Sequence, residues 1–191
     1  MTSPPRGRPR ASSHETIADA ATELFLEQGY EATSVTEITR RAGVSRSSFF
    51  NYFAGKSDIL WFVLDRRIDA VLAALARPEV AVRDGLALFA DGATPDTLAL
   101  AIVDARTMGV EGELAAGRAE RQLRLAAAIA ARLAGEAPRD PARGFRAEIT
   151  GAGYAAALFA AVWHWAQLGA GRHRLDEIVA DALAAARTIL E

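Results

Sequence analysis

From residue 12 onward the apolar positions recur at intervals of three and four, the spacing of one face of an α-helix, and no stretch alternates long enough to read as a strand. Ile17, Ala20, Ala21, Leu24 and Phe25 form one such stripe. It predicts a first helix from Ser12 or Ser13 to Gly29, with Ser12 and Glu15 at capping-box spacing. Ser34 and Glu37 repeat that spacing ahead of a short second helix, in which Val35, Ile38 and Ala42 face inward and which Gly43 ends. Ser45 caps a third helix, Ser45 to Tyr52, with Phe49 and Phe53 on one face. A longer helix follows from Lys56 or Ser57 to about Ala76, stopped by Pro78. Further helices are expected at 79–91, 96–109, 112–134, 143–169 and 174–190. The pattern is all-α, about nine helices.

Composition narrows this. The chain has 191 residues, 51% of them hydrophobic and 24% charged, enough apolar material for a packed core. It has no cysteine, which excludes disulfides, thiolate zinc sites and a cysteine nucleophile and fits a reducing cytoplasm. The histidines (His14, His164 and His173) are too far apart for a metal-binding helix pair, so neither a metal nor a cofactor is expected. The longest apolar run, Ala152 to Trp163, is too short to span a bilayer, and the arginine-bearing N-terminus lacks the apolar core of a secretory signal.

The net charge of −2 conceals a local asymmetry. Residues 1–11 hold three arginines, three prolines and no acid, and read as a disordered basic arm. Within it, Arg6 and Arg8 flank Gly7 as in a minor-groove AT-hook, whose arginines lie flat in a narrow A·T-rich groove. Next to the arm, two short helices meet at the turn Ala42-Gly43-Val44-Ser45, the plan of a helix-turn-helix. The second helix of such a unit enters the DNA major groove. Ser45, Ser47 and Ser48 are small enough for close approach, Arg46 can reach a phosphate or a guanine edge, Phe50 a thymine methyl and Asn51 an adenine. Lys56, at the start of the next helix, suits a phosphate clamp.

These residues resemble the TetR family of bacterial transcriptional regulators. The likeness covers residues 12–60: Gln28-Gly29-Tyr30, then Ala32-Thr33-Ser34-Val35, Ile38, Ala42-Gly43-Val44-Ser45, an aromatic-rich helix, Phe53, Lys56 and Leu60. The resemblance implies a helix-turn-helix DNA-binding domain over 12–55 and a helical effector-binding and dimerisation domain over 56–191. It implies phosphate contacts by Thr33 and Ser34, a DNA-facing set of Ser45, Phe50, Asn51, Tyr52 and Lys56, and base approach by Arg46 and Ser47. The family commonly has glycine where Ser47 stands, two tyrosines where Phe50 and Asn51 stand and Pro-Ser where Ala54-Gly55 stand; Phe50 cannot donate the hydrogen bond of a tyrosine. The expected partners are a double-stranded operator, a second copy held through residues 143–191, and a small hydrophobic or amphipathic effector, with no membrane.

Beyond residue 60, Trp61, Phe62, Asp65, Phe89, Asp104, Met108, Tyr154, Phe159 and Trp163 read either as core or as the lining of an effector pocket. The small-residue face of Gly151–Ala161 and the final helix suit a subunit interface. Two rival readings are an architectural A·T-rich DNA binder without an effector and a helical enzyme built around Trp163 and His164. The second requires a converging acid–base set that the sequence does not display.

Overall fold

The computed structural model describes residues 13–135 and 141–190, all of them in helices, turns and loops, with no β-strand among the described residues. The architecture is all-α, as the periodicity implies. Ten α-helices are present among the described residues: α1 (Ser13–Gln28), α2 (Val35–Ala42), α3 (Arg46–Phe50), α4 (Lys56–Leu75), α5 (Val82–Ala87), α6 (Thr97–Val103), α7 (Ala105–Met108), α8 (Glu111–Ala134), α9 (Pro141–Gln167) and α10 (Leu175–Leu190). The basic arm with Arg6 and Arg8, and the Ser12 cap, lie outside the described residues.

The first three helices enclose a small core from Ile17, Leu24, Phe25, Ile38, Phe49 and Phe53, each at most 5% exposed. The expected stripe of α1 is thus its buried face. Helix α4 joins this core to a second one. Its Leu60, Leu64, Ile68 and Val71 are buried, the helix packs on α5, α6 and α8, and α9 packs on α8, α10 and α6. The α8–α9 crossing is close because Gly151 has no side chain: a Cβ there would stand 2.5 Å from the Ala126 carbonyl oxygen. Trp165 pins the turn after α9, donating from Nε1 to the His173 carbonyl oxygen at 2.9 Å.

Two segments depart from expectation. The helix expected over 79–91 is one short helix, α5, that tightens into a 3-10 turn over Leu88–Ala90. The tighter winding places Phe89 wholly inside. The helix expected over 96–109 breaks at Asp104, whose φ of −105° and ψ of 23° leave the helical basin. The four-residue α7 that follows turns Met108 into the core and ends at Gly109, in the left-handed region. Ten helices replace nine for this reason.

Candidate nucleic-acid interface

The turn between α2 and α3 is closed locally at both ends. Ser34 caps α2: its Oγ accepts from the Glu37 amide at 3.2 Å, while the Ser34 amide donates to the Glu37 carboxylate at 2.8 Å. Gly43 adopts φ 67° and ψ 30°, a conformation that costs a side-chain-bearing residue energy. This lets Val44 donate back to the Thr39 carbonyl oxygen at 3.0 Å and redirects the chain into α3. Ile38 and Phe49, both fully buried, hold the two helices together.

Helix α3 is shorter than the expected Ser45–Tyr52. It ends at Phe50, so Asn51 and Tyr52 lie in the turn behind it. Ser45 caps it, accepting from the Ser48 amide at 3.0 Å, and lies within 2.9 Å of the hydroxyls of Ser47 and Ser48. Ser45, Arg46, Ser47 and Asn51 are exposed, Ser48 is half-buried, and Phe50 and Tyr52 are about half exposed (51% and 47%). Arg46 has no hydrogen-bond or ion-pair partner among the described residues. Arg41, by contrast, is engaged by Glu23 and Glu27 at 3.1 and 2.7 Å. The protruding surface thus carries hydroxyls, an amide, an aromatic edge and an uncommitted guanidinium, with no carboxylate between residues 45 and 52.

Two of the expected contact residues are turned inward. Thr33 is 2% exposed, and its hydroxyl donates to the Gly29 carbonyl oxygen at 2.8 Å. Lys56 donates to the carbonyl oxygens of Tyr30 (2.6 Å) and Thr33 (3.1 Å), and its ammonium sits 4.2 Å from the Tyr30 ring centroid. It therefore fastens the start of α4 to the α1–α2 connection. A related bond joins that connection to the rest of the protein: the Tyr30 amide donates to the Met108 carbonyl oxygen at 2.6 Å. Thr22 on α1 likewise meets Thr97 on α6 at 3.1 Å. Sequence periodicity reveals neither joint, because one is a backbone contact and the other depends on how two distant helices pack.

The expected effector-lining residues are dispersed. Trp61, Phe89, Met108 and Phe159 have no exposed surface and fill the core. Phe62 stacks on His14 (ring centroids 3.6 Å apart), between α1 and α4. Asp65 holds Arg121 of α8 through two 2.7 Å contacts, and that guanidinium lies 4.4 Å from the Trp61 ring centroid. Asp104 occupies the α6–α7 break. The Trp163 ring carries the Arg118 guanidinium at 4.7 Å. His164 is exposed on α9. Tyr154 lines a cavity of about 570 Å³ between α5, the end of α8, α9 and α10, with Val82, Leu86, Leu133, Val179 and Leu183. A second cavity, of about 330 Å³, lies between α4 and the loop from Leu88 to Thr94. Its lining includes Arg67, which the sequence reading passed over. The signal was available: Leu60, Leu64, Arg67, Val71 and Leu75 mark the buried face of α4, with one charge among them.

No helix among the described residues is long and apolar enough to cross a membrane, and no group of histidines and carboxylates among them could hold a metal ion.

Residues 17–60 match the family model described as bacterial regulatory proteins, tetR family. The chain is 32% identical over 123 residues to the HTH-type transcriptional repressor Rv1474c of Mycobacterium tuberculosis, a stretch covering 64% of this chain and 65% of that one. It is 45% identical over 53 residues to the HTH-type transcriptional regulator HbdR of Aromatoleum sp. (28% of this chain, 23% of that one). With the HTH-type transcriptional repressor ComR of Escherichia coli it shares 35% over 68 residues (36% and 32%). The matched stretch thus spans less than two thirds of each of these relatives. In structure, the chain is similar to a transcriptional regulator of Aquifex aeolicus, with a TM-score of 0.56 and 19% identity over 93% of this chain and 99% of that one.

Proposed function

Through residues 17–60 the chain belongs to the TetR family of bacterial regulatory proteins, and from this we infer that it is a ligand-responsive, DNA-binding transcriptional regulator. The observation that carries the reading is the exposed, carboxylate-free surface of Ser45–Tyr52, held rigid from behind by the buried Phe49. One helix of five residues touches too few bases to be selective. Two copies on a two-fold axis read a pseudo-palindrome with half-sites about 34–36 Å apart. Arg46 and Asn51 are the groups suited to base edges; Ser34, Ser45, Ser47, Ser48 and Tyr52 suit backbone phosphate. Thr33 and Lys56 support this surface from inside and act through positioning.

The regulator is a repressor that leaves its operator when a small molecule enters the helices beyond residue 60. The Tyr30–Met108 and Thr22–Thr97 bonds give that event a route, because they tie α1 to α6 and α7. A movement of α6 therefore carries the reading head with it, which is coupling through an element shared by two sites.

The test is a fluorescence-anisotropy titration with DNA flanking the protein's own coding sequence, against random duplex. Arg46→Ala is expected to weaken specific binding by about 1–3 kcal/mol and leave random-duplex binding nearly unchanged. Equal losses on both DNAs would reduce Arg46 to a phosphate contact. Failure of the unaltered protein to discriminate would remove the regulator reading in favour of an architectural one.

A further inference from the structure

Arg67 is placed where arginines seldom sit without a partner. It is 9% exposed on the inward face of α4. Among the described residues its guanidinium has neither a hydrogen-bond acceptor nor a carboxylate within 4.0 Å. No Arg67 nitrogen is sealed from solvent without a partner, so its remaining accessible surface opens into the 330 Å³ cavity that it lines. A guanidinium with so little exposed surface and no partner in the protein is costly, and buried charges in folded proteins are ordinarily paired. We propose that this cavity is a binding site for a small monocarboxylate, gripped by the Arg67 guanidinium.

The rest of the lining fits that occupant. Val63, Ala70 and Leu88 supply an apolar wall for a short hydrocarbon tail, and Thr94 a hydroxyl. The planar fork of an arginine matches the two oxygens of a carboxylate, which binds it bidentately. Asp91 stands on the same wall, and Asp96 is close enough for its charge to act on Arg67. Arg66 lines the cavity as well, so two guanidiniums stand against the two carboxylates; a singly charged anion then leaves less uncompensated charge than a dianion, which favours a monocarboxylate over inorganic phosphate. Burial lowers the Arg67 pKa from its usual value, and the two aspartates pull it back up. An arginine nonetheless stays protonated. Asp96 is itself committed to capping α6, accepting from the Ala99 amide at 2.9 Å. The charge of Asp96 thus links Arg67 electrostatically to the first turn of α6, the helix whose Thr97 touches α1.

Binding rests on this cavity alone; an effect on DNA rests in addition on the regulator reading above, and the two are measured separately. With the full-length chain, hexanoate is expected to raise Tm while hexanamide, of the same shape without the charge, does not. Calorimetry should then show hexanoate affinity weakened at least about tenfold in Arg67→Met, with phosphate binding far more weakly than hexanoate in the unaltered protein. Unliganded Arg67→Met should melt no lower than the unaltered protein, since it removes an unpaired buried charge. Ala70→Phe, at an exposed position on α4 that borders the cavity, blocks entry without touching Arg67 and serves as the second variant. The proposal falls if hexanoate up to about 50 mM leaves Tm unmoved. It falls equally if hexanamide does as well as hexanoate, if either variant keeps the response, or if Arg67→Met melts markedly lower. Hexanoate that binds but leaves DNA affinity unchanged upholds the site and removes its link to the operator.

Discussion

His14 shows how one side chain can register its surroundings. Its ring is packed against Phe62 and Phe53 at centroid distances of 3.6 and 4.8 Å, and its Nε2 is buried without a hydrogen-bond partner. Burial, the largest influence, pushes its pKa below 6.5, with Glu15 opposing and Arg66 adding to it. The unfolded chain therefore takes up this proton first. The neutral ring contributes its full stability above about pH 6.5, and that contribution is lost as pH falls from there through the depressed native value. Thermal melts between pH 8 and 5 should show a steeper decline for the native protein than for His14→Phe. Parallel curves for the two would mean that the ring is protonated as readily in the folded state as in the unfolded chain. Trp61 illustrates the opposite constraint: its ring occupies the space where a Cβ at position 117 would stand, 2.5 Å away. Gly117 is thus required by a neighbour's bulk, a requirement visible only once α4 and α8 are packed.

At the scale of the helices, α8 and α9 cross with little freedom to adjust. The obstruction to a side chain at position 151 is backbone, the Ala126 carbonyl oxygen and the Ala130 amide at 2.5 and 2.9 Å, which cannot rotate away. Gly151→Ala should therefore part the two helices and cost about 1–3 kcal/mol, as overpacked cores do, read as a lower Tm or denaturant midpoint. A variant as stable as the parent would show that the crossing has slack. Most of this architecture was legible beforehand. The stripe of α1, the Ser34–Glu37 capping box and the Gly43 turn are local signals, and local signals survive packing. The break at Asp104 and the 3-10 turn at Leu88 were not legible, since both serve to seat Met108 and Phe89 in a core formed by distant segments. Around α3 the exposure of Ser45, Arg46 and Ser47 was legible in the sequence. The sequence could not show that Thr33 and Lys56 turn inward, because backbone carbonyl oxygens that receive a side chain leave no trace in a residue pattern.

For the molecule as a whole, α9 and α10 present apolar side chains that remain exposed among the described residues. Phe145 is 64% exposed, Ile149 47% and Ile189 81%, and Gly153 is small enough for Leu190 to lie directly against it. An apolar surface of this kind on consecutive long helices suits a second copy of the chain. The double variant Ile149→Asp, Ile189→Asp should sediment at about half the parent's mass and lose most of its operator affinity, since two heads bind jointly and one does not. A parent that itself sediments as a monomer would defeat the dimer reading. The connection of Lys56 to Tyr30 has a mechanical corollary. Helix α4 spans 20 residues, a rod of about 30 Å, latched to the helix-turn-helix unit at one end and passing the Arg67 cavity along its length. A tilt of about 5° pivoting at its far end sweeps the latched end through about 2.6 Å. Mirrored in a second subunit, the same leverage would shift the stride between two reading heads by up to about 5 Å, more than a hydrogen bond to a base edge can stretch.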